Sequence, residues 1–112
     1  MFESEEVYIN EVEKYKKFTY HQDLLIFLSK KGYQAAKVKL GQSKQELVLS
    51  ISLNYLGEGL SFLDIISEAN IGLMEGIEKI NDFSEEEIDK FLEPYIELAI
   101  QIAISNFHTA KN

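Results

Sequence analysis

The sequence contains no cysteine. That removes disulfide frameworks, thiolate zinc sites and cysteine nucleophiles, and it fits a reducing interior. It also contains no arginine, so all 11 basic residues are lysine. Dense phosphate-binding surfaces are built from clustered lysine and arginine, and this absence weighs against one. One proline and six glycines exclude a collagen-like or low-complexity chain. No apolar run approaches the roughly 18 residues of a membrane span. The acidic, polar start does not read as a signal peptide. The expectation is a cytoplasmic protein with no membrane partner.

Residues that carry chemistry are also scarce. His21 and His108 lie far apart, and neither has a ligand-type neighbour at metal-binding spacing. There is no phosphate-binding glycine loop, dinucleotide fingerprint or nucleophile elbow. Gly57-Glu58-Gly59 is too short and too acidic to cradle phosphate. Glu85-Glu86-Glu87 could pass for paired carboxylates, but acids in the first turn of a helix favour its positive dipole end. The sequence predicts no enzyme, no metal and no cofactor.

What is present suffices for one domain. The chain has 112 residues, of which 46% are hydrophobic, enough to build a core without covalent staples. Its net charge is −8, unevenly spread. Residues 21–50 hold five lysines against Asp23 and Glu46, whereas residues 51–112 hold twelve acids against Lys79, Lys90 and Lys111. Such a pattern suits solvated helix faces, or an acidic half that repels nucleic acid and meets a basic partner.

Helical periodicity runs through the chain, with no strand alternation and no internal repeat. Candidate capping boxes at Thr19/Gln22, Ser43/Glu46, Ser61/Asp64 and Ser84/Glu87 divide it into segments. A first helix is predicted over 4–17, with Val7, Ile9, Val12 and Tyr15 as its apolar positions. A second over 21–30 offers Leu24, Leu25, Phe27 and Leu28, and closes at Lys30-Lys31-Gly32. A short helix over 33–40 stops at Gly41. Residues 43–56 follow, with Leu47, Val48, Ile51 and Tyr55 on one face and Leu49 and Leu53 widening it.

The segment 62–80 places Phe62, Ile65, Ile66, Ala69, Leu73, Gly76, Ile77 and Ile80 on a core stripe. In the last segment, 84–107, Ile88, Phe91, Leu92, Tyr95, Leu98, Ala99 and Ile102 form one stripe, extended by Ile96, Ile100 and Ile104. Pro94 either kinks this helix or starts a new one. The fold class is all-α, a compact bundle of about five or six helices forming one domain over 1–112.

Residues 55–79 then point to a family. Gly59-Leu60-Ser61-Phe62-Leu63-Asp64-Ile65-Ile66-Ser67-Glu68-Ala69-Asn70-Ile71-Gly72-Leu73-Met74 closely resembles region two of the bacterial RNA polymerase sigma factors, the primary kind especially. The likeness is long and ungapped. Upstream, Gly32, Ala36, Lys37 and Leu40, then Leu47-Val48-Leu49-Ser50-Ile51, are similar to that family's preceding helices. Downstream, Pro94-Tyr95-Ile96 and Ala99-Ile100 resemble its next helix more faintly.

The resemblance implies that the 61–80 helix docks on a coiled coil of the polymerase's largest subunit. The residues carried over for that contact are Asp64, Ser67, Glu68, Asn70 and Met74. Helical spacing lets Asp64, Ser67, Ile71 and Met74 share a face, with Glu68 and Asn70 flanking it. Ile71 and Met74 stand off the core stripe, so they form an apolar patch suited to a partner. The family usually has glutamine where Ser67 stands and glycine where Ala69 stands. The shorter Ser67 forgoes a hydrogen bond of about 1 kcal/mol, which docking tolerates.

The next helix departs further. In the family it presents aromatic and basic residues that capture the unpaired promoter strand. Here Phe91 and Tyr95 stand near the aromatic positions and are the candidate DNA contacts, yet both also lie on the core stripe. Glu97 holds the usual arginine position, and residues 84–107 carry six acids against Lys90. Strand capture would need a basic path, for which Lys30, Lys31, Lys37, Lys39 and Lys44 are the candidates. The expected function is sigma-like: docking on the polymerase core, with promoter DNA engaged only within the holoenzyme, if at all. The chain would serve as a split sigma subunit beside a second sigma-like chain, as a modulator, or as a fragment of a working sigma factor. The alternative is a helical interaction module or homodimer with no polymerase role.

Overall fold

The computed structural model describes residues 22–80 and 85–111, with side-chain surroundings described for 22–80 and 87–110. The helix expected over 4–17 and residues Thr19, His21 and Ser84, with their capping boxes, lie outside the described residues. Within them the protein is all-α, with five α-helices and no strand. They are α1 (Gln22–Lys30), α2 (Gln34–Ser43), α3 (Gln45–Ser52), α4 (Phe62–Glu78) and α5 (Glu85–Lys111). A single 3-10 turn, Leu53–Tyr55, extends α3.

The α1–α2 turn forms as the sequence suggested. Gly32 adopts the left-handed conformation at φ 93°. Its N–H reaches the Ser29 carbonyl at 3.0 Å, and the Tyr33 N–H reaches the Leu28 carbonyl at 3.2 Å. This is a Schellman closure, which glycine adopts without a Cβ penalty. Within α1, however, the buried apolar residue is Ile26, while Leu24 and Phe27 are exposed.

Gly41 does not end α2. It is a buried residue inside the helix, and a Cβ there would lie 2.9 Å from the Met74 sulfur of α4. The glycine serves close helix approach, which is why the helix runs on to Ser43. Lys44, not Ser43, holds the cap position of α3, and the Ser43 hydroxyl donates to the Leu40 carbonyl at 2.7 Å. The helix expected over 43–56 is accordingly shorter. Leu53, expected to widen its buried face, is exposed.

The α4 helix begins as read. The Ser61 hydroxyl accepts the Asp64 N–H at 3.1 Å, satisfying one of the orphan donors of the first turn. Phe62, Ile65, Ile66, Ala69, Leu73 and Ile77 of α4 are all buried. They meet Ile26, Leu40, Val48 and Ile51 on one side and α5 on the other.

On α5 the buried line is Ile88, Leu92, Ile96, Ile100 and Ile104. The stripe drawn through Leu98 and Ile102 is corrected: both are exposed, at 56% and 51%. The buried residues recur every fourth position, the ridge that helices interdigitate in their commonest packing class. Such a line drifts around a helix of 3.6 residues per turn, so apolar residues at other spacings face outward. α5 continues through Pro94, which is exposed and starts no new helix.

Among the described elements the α4–α5 pairing is the most extensive. Two glycines make it possible. A Cβ on Gly72 would lie 2.3 Å from the Tyr95 carbonyl oxygen and 2.8 Å from the Ala99 Cβ. A Cβ on Gly76 would lie 2.8 Å from Leu92 Cδ2. Because backbone cannot step aside as a flexible side chain can, Gly72→Ala should destabilise the fold by about 1–3 kcal/mol. Helix propensity offsets at most about 1 kcal/mol of that. Urea unfolding measures the net loss, with Ser67→Ala as an exposed reference expected within about 0.5 kcal/mol of wild type.

A buried polar cluster joins the remaining elements. The Lys44 side chain is 8% exposed and its ammonium pairs with Asp89 at 2.6 Å. It also donates to the Gln22 amide oxygen at 3.1 Å, tying α1, α3 and α5 together. Removing one partner of a buried pair leaves an uncompensated charge. Asp89 is 47% exposed at its side chain, so we expect Asp89→Asn to cost about 1–3 kcal/mol, below the fully buried range. Glu78→Gln, which breaks the more open Lys37 pair at 2.7 Å, should cost no more than about 1 kcal/mol. Chemical denaturation of the two variants orders them.

Candidate functional site

The outward face of α4 collects what the sequence assigned to docking, with differences along its length. Asp64, Ser67 and Ile71 are exposed, and Ile71 keeps 55% of its surface open. Glu75 and Glu78 are exposed on the same helix. Helical geometry places both along that ridge. Neither was singled out in the sequence, although Glu75 lies four residues after Ile71.

Asn70 and Met74 sit on one flank and are only half exposed. The Asn70 amide donates to the Ile66 carbonyl at 3.0 Å and accepts from the Gln45 amide at 2.6 Å. Gln45 also donates to the Gly41 carbonyl at 3.1 Å. Asn70 is thus fixed against α2 and α3. Met74 packs over Gly41 and against the core. Together Asn70, Ile71, Met74, Glu75 and Glu78 line a shallow open surface.

Glu68 is half-buried on the opposite flank and faces α5. There Asp64, Ser67 and Glu68 line a groove with Leu60, Ile102, Ala103, Asn106 and Phe107. Among the described residues its charged lining is the two carboxylates. Sequence spacing along α4 could not disclose the α5 wall, which lies more than thirty residues downstream.

The candidate DNA contacts behave differently. Phe91 and Tyr95 are half-buried, with ring centroids 5.4 Å apart in a tilted pair. The Tyr95 ring also covers Gly76. Of the candidate lysine path, Lys37 pairs with Glu78 and Lys44 with Asp89. The Lys31 ammonium stands 5.4 Å from the centre of the Phe27 ring. No group of three or more potential metal ligands exists among the described residues. No helix among them is long and apolar enough to cross a membrane.

No family model matches the chain. Curated proteins do. Over 104 residues, 89% of the chain, it is 29% identical to the RNA polymerase sigma factor SigA of Lactococcus lactis subsp. cremoris. The same span is 29% identical to SigA of Lactococcus lactis subsp. lactis. A 52-residue stretch, 46% of the chain, reaches 42% identity with SigA of Clostridium acetobutylicum. The chain is thus similar to RNA polymerase sigma factors over most of its length. It spans between 14% and 29% of the length of these relatives. Its likeness therefore concerns one part of a sigma factor.

Proposed function

We propose that this sigma-factor-like domain acts in transcription initiation in the cytoplasm by docking on the coiled coil of the largest catalytic subunit of bacterial RNA polymerase. The ridge Asp64, Ser67, Glu68, Asn70, Ile71 and Met74 makes the contact. The observation that carries the reading is Ile71, an aliphatic side chain left 55% exposed between carboxylates on the helix with the strongest family likeness. Carboxylates beside an apolar side chain suit a basic, apolar-ridged helix. The fixed Asn70 amide presents its contact without further ordering cost.

Promoter melting by the domain alone is weakened or lost in this reading. Strand capture relies on stacking aromatics and phosphate-neutralising cations. Here Phe91 and Tyr95 are half-buried and two candidate lysines are occupied by carboxylates. Whether the domain serves as one part of a split sigma factor or as a modulator, its grip on the polymerase is the shared step.

Glu68→Lys reverses a charge on the groove side of the ridge. It should weaken binding to core RNA polymerase at least tenfold, roughly 1.4 kcal/mol, in a titration at physiological salt. Failure of the wild type to bind at micromolar concentration would leave the interaction-module reading ahead. The isolated domain should also show negligible binding of single-stranded promoter DNA at the same salt. Tight, salt-sensitive binding in a polarisation assay would contradict the charge argument.

A further inference from the structure

Two side chains on the outer face of α5 are left without a role in the core. Leu98 and Ile102 are 56% and 51% exposed, and their i, i+4 spacing puts them on one stripe. Ile102 also walls the groove whose rim carries Asp64 and Glu68. The other described lining residues are Leu60, Ala103 and Phe107, with Ser67 and Asn106 as neutral polar groups. Aliphatic surface therefore continues from α5 to a pair of carboxylates on α4, with no cation among the described lining residues.

That combination discriminates between occupants. A nucleic-acid strand brings phosphates, which the carboxylates repel, and bases, which stack on open aromatic faces. Leu98 and Ile102 offer no such faces, and the half-buried Phe107 ring of the groove packs against Gly59. A protein helix with an apolar ridge and a lysine or arginine flank satisfies both features: its ridge covers Leu98 and Ile102, and its flank meets Asp64 and Glu68. We propose that Leu98 and Ile102 are the second half of a protein-docking surface. A basic amphipathic helix of the partner lies across the α4–α5 groove, on the face of α5 that the sigma resemblance would give to promoter DNA. The proposal rests on the docking of α4 on the polymerase coiled coil and extends it onto α5.

The test uses the full chain and core RNA polymerase at 150 mM salt, with Leu98→Gln, Ile102→Gln, their double variant, Glu68→Lys, and Leu53→Gln as an exposed control on the 3-10 turn. Circular dichroism verifies that each variant is folded. Exposed positions make that the expected outcome, and each single variant stands in should the double variant fail. The double variant should bind at least tenfold more weakly, and Leu53→Gln should stay within twofold. Glu68→Lys weakening binding while all α5 variants stay within twofold would overturn the extension and leave α4 docking intact. Wild type failing to bind, or binding that neither Glu68→Lys nor the α5 variants alter, would overturn both. Micromolar binding of a 30-nucleotide A/T-rich single strand that is lost in Ile102→Gln would also overturn the extension, assigning the face to nucleic acid.

Discussion

The backbone of α4 approaches α5 at Gly72 so closely that a methyl group would collide with the Tyr95 carbonyl oxygen. Gly76, one turn on, accepts Leu92 and the Tyr95 ring in the same manner. With no side chain between them, the two helices bring their isoleucine and leucine rows into direct contact. Dispersion and hydrophobic burial both depend on that intimacy. It also fixes rotation. With Gly72 facing α5 and Met74 seated against Gly41 of α2, the side of α4 left to water carries Asp64, Ser67 and Ile71. The exposed ridge is the geometric complement of these two contacts together.

Much of this was legible in the sequence because it is local. The Schellman turn at Gly32, the Ser61 cap and the buried row of α4 each follow from residues within one or two helical turns of one another. Gly41 reads as a stop in the sequence, but glycine signals both a stop and a close approach, and only the neighbour across the interface decides between them. Here that neighbour is Met74. On α5 the apolar residues outnumber those that the core can hold, so periodicity alone admitted two stripes. The fourfold ridge won because α4 offers a matching surface along its length.

The candidate site divides in the same way. Exposure of Asp64, Ser67 and Ile71 follows from spacing on a single helix. The clamp of Gln45 on Asn70, the seat of Met74 on Gly41 and the α5 wall beside Glu68 are tertiary, and no pattern within α4 announces them. The lysines tell a similar story. Their clustering in the middle of the sequence suggested a basic path, yet folding sets the buried Lys44 against the half-exposed Asp89 and Lys37 against Glu78. Charge along a chain is a poor guide to field at a surface when ion pairs join distant segments.

The segment leading into α4 is fastened to the last turns of α5. The Gln101 amide donates to the Tyr55 hydroxyl at 3.0 Å, and His108 Nε2 meets the Glu58 carbonyl at 2.9 Å. Gly59, with φ at 118°, lies flat beneath the Phe107 ring. These three fastenings join the chain before α4 to the end of α5, beside the Leu60 and Phe107 that line the groove. A groove tied in this way within one chain leaves less conformational entropy to surrender if the proposed partner docks there, which favours recognition by rigid fit over moulding.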